Sequence, residues 1–269
     1  MKRYVVLDKK IGRTPLETLN EWKVAHPRYG ELPAAYAGRL DPMASGKLLV
    51  LLGEECKHQK RYTGLDKEYV VSVVLDLSTD TGDTLGLPTY GELESNPYRA
   101  RIVEALRAEL GSRTHAYPAY SSKTVNGTPL FLHALRGTLH TIEIPTHTET
   151  IHHITLEQLY HLPTENVSAY IQKALSVVPK DDAPSKVEGA DFRQDEIRAA
   201  WHALFTSMPE RTFVVLKLRV ACGSGAYMRS LAERIGRTLG TTALALSIHR
   251  TKIGTYRTLG PLRFFFPSF

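Results

Sequence analysis

The chain has 269 residues, 42% of them hydrophobic and 23% charged, with a formal net charge of +6, which gives room for one large or two small domains and suits a soluble protein with a polyanionic partner. Its two cysteines, Cys56 and Cys222, have no C-x-x-C spacing, so a disulfide framework or thiolate zinc site is disfavoured and a reducing compartment is expected. No apolar run reaches the roughly 18 residues of a membrane span, and YVVL near the start is too short for a signal peptide, so the expectation is a cytoplasmic protein with no membrane contact.

RYVVLD (3–8) reads as a buried strand. TPLE (14–17) sets Thr as cap, Pro at the first helical position and Glu at the third, a capping box that opens a helix to about Val24. KLLVLLG (47–53) is a short strand. KEYVVSVVLDLST (67–79) places Tyr69, Val71, Val73, Leu75 and Leu77 on one face of a strand. NPYRARIVEALRAELG (96–111) has an Asn cap, a first-position Pro and a terminal Gly around an amphipathic pattern, and PLFLHALRG (129–137) is a shorter helix. The stretch 141–162 reads as paired strands. From Pro163 to Arg211 two helix-like pieces, near 165–178 and 191–207, flank the polar PKDDAPSKVEGAD, and the whole reads as an inserted, partly mobile surface element. RTFVVLKLRVACG (211–223) is a strand, AYMRSLAERIGRTLG (226–240) an amphipathic helix and ALALSIHRTKIGTY (243–256) a strand again. Strands follow one another without a βαβ rhythm, which favours an α+β fold on a mixed, mostly antiparallel sheet.

Eleven histidines offer no metal-binding spacing: His152 and His153 are adjacent in a strand pattern and point to opposite faces, and no H-E-x-x-H occurs. CGSGAYMRS (222–230) joins strand to helix through two glycines but lacks a P-loop lysine and a third dinucleotide-motif glycine, so a nucleotide cofactor is not expected. The same turn releases Tyr227 and Arg229 together, a ring able to stack on a base and a guanidinium able to pair with a carboxylate or phosphate. Asp41, before Pro42 in AYAGRLDPMASG (35–46), reads by itself as a turn or helix cap.

Taken in order, LDKKIG (7–12), GRLDPMASG (38–46), KEYVV (67–71), STDTGDTLG (78–86), YPAYSSKTVNG (117–127) and CGSGAYMRSLAERIG (222–236) resemble the successive motifs of the TruB family of tRNA pseudouridine synthases, over most of the chain outside 163–211. The resemblance implies a pseudouridine-synthase fold, a long mixed sheet flanked by helices with an RNA cleft across it. It implies a single catalytic domain over 1–269 with an insertion at about 163–211 and no C-terminal PUA domain. The implied reaction detaches the T-loop uridine at tRNA position 55 from its ribose and rejoins it through C5, with base flipping and without metal or cofactor. The implied partner is the tRNA T-arm, with no obligate protein partner and a monomeric enzyme.

Residue by residue, Asp41 matches the catalytic aspartate, which acts either as a covalent nucleophile or by removing a ribose proton; both roles require it ionised. Arg229 matches the arginine that pairs with it. Tyr69 matches the tyrosine stacking on the flipped uracil, Tyr227 a second wall of the base pocket, and Ile248 the apolar residue against the uracil. Three positions depart from the pattern. Tyr36 stands where the family often has His, which helps hold the opened T-loop. Arg39 replaces Ala or Thr, and its Arg-Leu-Asp order resembles the RluA family of ribosomal-RNA enzymes. Lys10 replaces a proline. These departures keep two alternatives in view: the same chemistry on rRNA or another structured RNA, and an RNA-folding module without catalysis.

Overall fold

The apolar runs become one nine-stranded sheet in the computed structural model, which describes residues 2–91, 97, 99–178, 193–260 and 262–268. Its strands are β1 (Tyr4–Lys9), β2 (Ala34–Ala37), β3 (Ala44–Leu52), β4 (Asp66–Leu75), β5 (Gly111–Ala116), β6 (Thr146–Pro163), β7 (Thr212–Cys222), β8 (Ala243–Leu259) and β9 (Leu262–Phe266). They run in the order β1-β3-β8-β4-β7-β6-β5, with β2 also on β3 and β9 on β8. The pairs are antiparallel except β3 with β8, where Ile248 faces Ala44 and Arg250 faces Gly46 in parallel register. That parallel join brings the start of β3 beside the middle of β8, and Arg250 also lies opposite Tyr69 of β4.

The helices are α1 (Pro15–Ala25), α2 (Gln59–Thr63), α3 (Arg99–Ala108), α4 (Leu130–Leu135), α5 (Thr164–Ser176), α6 (Gln194–Ser207) and α7 (Met228–Thr238). The expected capping box opens α1: the Thr14 hydroxyl accepts the Glu17 N–H, and the Glu17 carboxylate accepts that of Thr14. The main core lies between the sheet and its helices, with Val71, Val73, Leu216, Leu218, Leu244, Leu231 and Ile235 all buried. Each such side chain contributes about 1.5–3 kcal/mol of transfer free energy. Among the described residues, no helix is long and apolar enough to cross a membrane.

Several sequence expectations need correction. The strand expected over 67–79 breaks at Asp76, whose φ is +69°. Its carboxylate accepts a bond from Thr241 Oγ1 at 2.6 Å and pairs with Arg211, so side-chain bonding holds a backbone shape that no strand propensity favours. Leu77–Thr79 then joins Pro88–Tyr90 in a separate two-stranded ribbon. Residues 141–162 do not pair with each other. Most of them lie in the single 18-residue strand β6, whose partners are β7 and β5. Strand β5 was not anticipated because GSRTHA is a mostly exposed edge strand without an apolar face. Strand β9 was not anticipated either.

The segment 163–211 forms the two expected helices, but it is not a surface appendage. Val167, Ile171 and Leu175 on α5, at spacing four, and Ile197 and Trp201 on α6 are buried in the main core. The expected Asn96 cap and the polar linker 179–191 lie outside the described residues.

Candidate active site

Four elements converge at the parallel join: the loop between β2 and β3, the start of β4, the turn 79–86 and the N-terminus of α7. Between them lies a cleft of about 590 Å³ whose walls include Tyr36, Arg39, Asp41, Tyr69, Tyr227, Arg229 and Ile248. All seven residues singled out in the sequence therefore share one cavity.

Arg229 is the first-turn residue of α7 whose side chain crosses the cleft floor. Its Nε donates to Asp41 Oδ2 at 2.8 Å, its Nη1 to the Thr81 carbonyl at 2.6 Å and its Nη2 to the Tyr120 carbonyl at 3.1 Å. Asp83 Oδ2 lies 3.6 Å from the same Nε. The guanidinium is 5% exposed, whereas the Asp41 side chain is 42% exposed and opens to the cleft. Burial works against the Arg229 charge, but Asp41 and then Asp83 outweigh it and hold its pKa above the ordinary value. Burial pushes the Asp83 carboxyl up to about 6, against the pull of Arg229. Asp83 Oδ1 accepts the Leu85 N–H at 2.8 Å and the Thr81 hydroxyl at 2.9 Å, which fixes the turn around it.

Buried cations hold the loop carrying Asp41, through Lys9 and Arg250, and the turn ahead of β4, through Lys67. Lys9 Nζ donates to the carbonyls of Lys10 at 3.1 Å, Arg13 at 2.6 Å and Pro42 at 3.4 Å. Arg250 donates to the carbonyls of Lys47 at 2.6 Å, Gly38 at 3.1 Å and Arg39 at 3.4 Å. Lys67 Nζ donates to the Thr63 carbonyl at 2.6 Å and to that of Leu65. Burial lowers both Lys9 and Lys67 to about 8. Bonding to carbonyl oxygens satisfies these donors and leaves the Asp41 carboxylate free of them.

The apolar walls are equally fixed. Tyr69 is buried on β4, and burial raises its phenol, with the Arg250 charge working against it. Tyr227 is half-buried, and its ring meets His147 and Tyr117 edge-on at 5.6 Å and 6.3 Å. Its N–H donates to Glu149 at 3.3 Å. Ile248 is buried, while Tyr36 on β2 and the exposed Arg39 stand at the mouth. Two aromatic rings and a branched aliphatic line the cleft beside the Arg229–Asp41 ion pair, an apolar lining suited to a flat base.

Sequence reasoning did not single out Lys9, Lys67, Asp83, Tyr120, Arg193 or Arg250, all of which touch or line this site. A usable signal existed for Arg250, two residues after Ile248 in a strand and so on the same face. Among the described residues, no group of three or more His, Cys, Asp or Glu is arranged to hold a metal ion.

A family model described as TruB family pseudouridylate synthase (N terminal domain) matches residues 28–174. Curated proteins named tRNA pseudouridine synthase B are similar along 94% of the chain: those of Francisella philomiragia, Xanthomonas campestris and Blochmanniella floridana are 26%, 29% and 27% identical. The chain spans 65%, 64% and 76% of their respective lengths. The crystal structure of a Cbf5-Nop10-Gar1 complex contains a chain that superposes with a TM-score of 0.53 at 18% identity, covering 93% of this chain and 48% of that one, which shows a shared fold.

Proposed function

The chain belongs to the TruB family of pseudouridylate synthases and has the pseudouridine-synthase fold, and from that premise we propose that it converts the T-loop uridine of tRNA, position 55, to pseudouridine. The observation that carries this reading is the Arg229–Asp41 pair, 2.8 Å apart at the floor of a slot walled by Tyr69, Tyr227 and Ile248.

In this reading the uridine leaves the RNA stack and its uracil enters the slot, where ring and aliphatic contacts replace the lost stacking. Asp41 faces the ribose as a carboxylate, with Arg229 against its Oδ2 and the other oxygen left for substrate. The N1–C1′ bond breaks, the base turns within the slot, and C5 bonds to C1′. C5 then loses its proton and N1 ends the reaction carrying one, so no atom is gained or lost overall. In this reading the C5 proton passes to water and N1 takes one from water, and the Tyr69 phenol, kept protonated by burial, assists as a hydrogen-bond donor rather than as the base. The net charge of +6 supplies general attraction to the RNA, so binding weakens steeply with salt.

The test is tritium release from unmodified tRNA carrying uridine tritiated at C5, with the product position mapped chemically. Wild type releases tritium from the T-loop uridine, and Asp41→Asn lowers the rate by roughly a thousandfold or more while tRNA affinity stays within a few-fold. Full activity in Asp41→Asn would sink the assignment. Arg39 at the mouth favours rRNA as the second substrate to try, and release from rRNA fragments alone would move the enzyme to that class.

A further inference from the structure

Resting on that function, we propose that the two helices between Thr164 and Ser207 brace the active site, with Trp201 and Arg193 acting as positioning residues for the Arg229–Asp41 pair. The turn 79–86 is the link. Its Thr81 carbonyl takes the shortest of the hydrogen bonds from Arg229 given above. At Gly82, φ is +76° and a Cβ would lie 2.5 Å from Glu233 Oε1 and 3.2 Å from Arg229 Cβ, so this backbone rests directly on α7. The Gly82 carbonyl also accepts the Ala245 N–H at 2.9 Å, which ties the turn to β8.

From the opposite side the same turn is held by α6. The indole N–H of Trp201, a residue only 1% exposed, donates to the Thr84 carbonyl at 3.1 Å. Arg193, just ahead of α6, pairs with Asp80 Oδ2 at 2.8 Å, and its guanidinium lies 4.7 Å above the Tyr120 ring. The Tyr120 hydroxyl donates to that same Asp80 oxygen at 2.8 Å, while its carbonyl accepts from Arg229. Two of the three acceptors of Arg229, the carbonyls of Thr81 and Tyr120, therefore sit on segments fastened to α6. The Asp41 side is reached as well. The Val177 carbonyl, beyond the C-terminus of α5, packs so closely on Gly12 that a Cβ there would lie 1.9 Å from it. The Gly12 N–H donates to the Pro42 carbonyl at 2.9 Å, one residue after Asp41.

Stability alone needs only the apolar stripes of α5 and α6, and Val167, Ile171, Leu175 and Ile197 supply those. The polar bonds of Trp201 and Arg193 go instead to the turn that grips Arg229. A misplacement of about 1 Å in a catalytic group costs up to a hundredfold in rate, so a brace of this kind acts on the chemical step rather than on RNA binding.

The experiment compares Trp201→Phe, Arg193→Ala, Arg193→Lys and, as a packing control outside the brace, Leu52→Ala, at a residue buried in a separate core cluster at the end of β3 away from Ala44. Three quantities are read: the single-turnover rate on unmodified tRNA at saturating enzyme, tRNA affinity by filter binding, and hydrogen exchange of the Arg229 Nε–H by NMR, assigned with Arg229→Lys. Trp201→Phe and Arg193→Ala are expected to slow turnover and speed Arg229 exchange roughly five- to tenfold, with tRNA affinity within about twofold. Arg193→Lys, which keeps a cation for Asp80, should recover most of both. Leu52→Ala should lower the unfolding midpoint and leave rate and exchange at wild-type values well below that midpoint. Unchanged rate and exchange in Trp201→Phe, or equal losses in Leu52→Ala, would overturn the proposal. So would an Arg193→Ala that loses only tRNA affinity, since Arg193 would then be an RNA contact. A wild type inactive on tRNA would remove the function proposed above, and Arg229 exchange would still decide whether α6 holds that side chain.

Discussion

The two sides of the active site are held by opposite means. On the Asp41 side, buried cations grip backbone: Lys9 and Arg250 donate to the carbonyls of Pro42, Gly38 and Arg39, and the carboxylate stays open to the cleft. On the Arg229 side, the functional group itself is gripped, with each guanidinium nitrogen bonded and the whole side chain buried. In the proposed reaction the difference follows from what each group must do. A carboxylate that meets a ribose needs an unshared oxygen, so its loop is fixed through atoms that take no part in the chemistry. A guanidinium that orients the carboxylate gains by having every nitrogen bonded, because a planar fork held at three points has one position.

The strongest way to break this contrast is Arg229→Lys. A lysine keeps the charge but is a point donor on a flexible stem, so it cannot hold Asp41 while bonding the Thr81 and Tyr120 carbonyls in the same plane. Single-turnover rate should fall roughly a hundredfold with tRNA affinity nearly unchanged. A loss below threefold would mean that charge alone suffices and that the planar geometry is irrelevant. The counterpart is Arg250→Met, which strands three carbonyls and should act on folding before chemistry. A fully buried acceptor left unpaired costs about 1–3 kcal/mol, and Gly38, Arg39 and Lys47 are partly buried or exposed, so urea unfolding should show a loss on the order of 3 kcal/mol in all, with turnover reduced far less than in Arg229→Lys. Equal effects of both variants on rate, with stability intact, would erase the distinction between gripping backbone and gripping side chain.

This contrast also separates what was legible in the sequence from what was not. Asp41, Arg229, Tyr69 and Tyr227 stand in short ordered motifs that resemble those of a known family, and Ile248 follows on the strand after the last of them, so a one-dimensional reading reaches them. Lys9 was hidden because its partners are carbonyl oxygens, which every residue has and no sequence pattern marks; Arg250 bonds carbonyls too, and only its place on the strand face of Ile248 pointed to it. Asp83 sat inside a quoted motif, but only the fold brings it against Arg229, 146 residues later. The α5–α6 segment was misread for a related reason. Its polar linker suggested a surface excursion, while the stripe Val167, Ile171, Leu175 and the single Trp201 were the signal for burial. The break at Asp76 was invisible because it depends on Thr241 and Arg211 arriving from distant parts of the chain.

Asp83 sharpens the comparison with the smallest expected effect, because it shares Arg229 with Asp41 yet is buried where Asp41 is open. Its carboxyl, ordinarily near 3.8, is pushed up to about 6, with desolvation as the main cause. Between those two values the folded protein keeps a proton that the unfolded chain has released, so stability falls as pH rises from about 4 to 6 and levels off above. The shift corresponds to at most about 3 kcal/mol, and relaxation around the buried group will reduce it. Asp83→Asn removes the titration while keeping the Oδ1 acceptor for Leu85 and Thr81. Urea midpoints measured from pH 4 to 7 should therefore show a shallower decline in the variant, with the gap between the two proteins opening in that interval in favour of the variant. If the two curves stay parallel, the Asp83 carboxyl titrates at its ordinary value, and Arg229 then balances two carboxylates on equal terms rather than one open and one suppressed by burial.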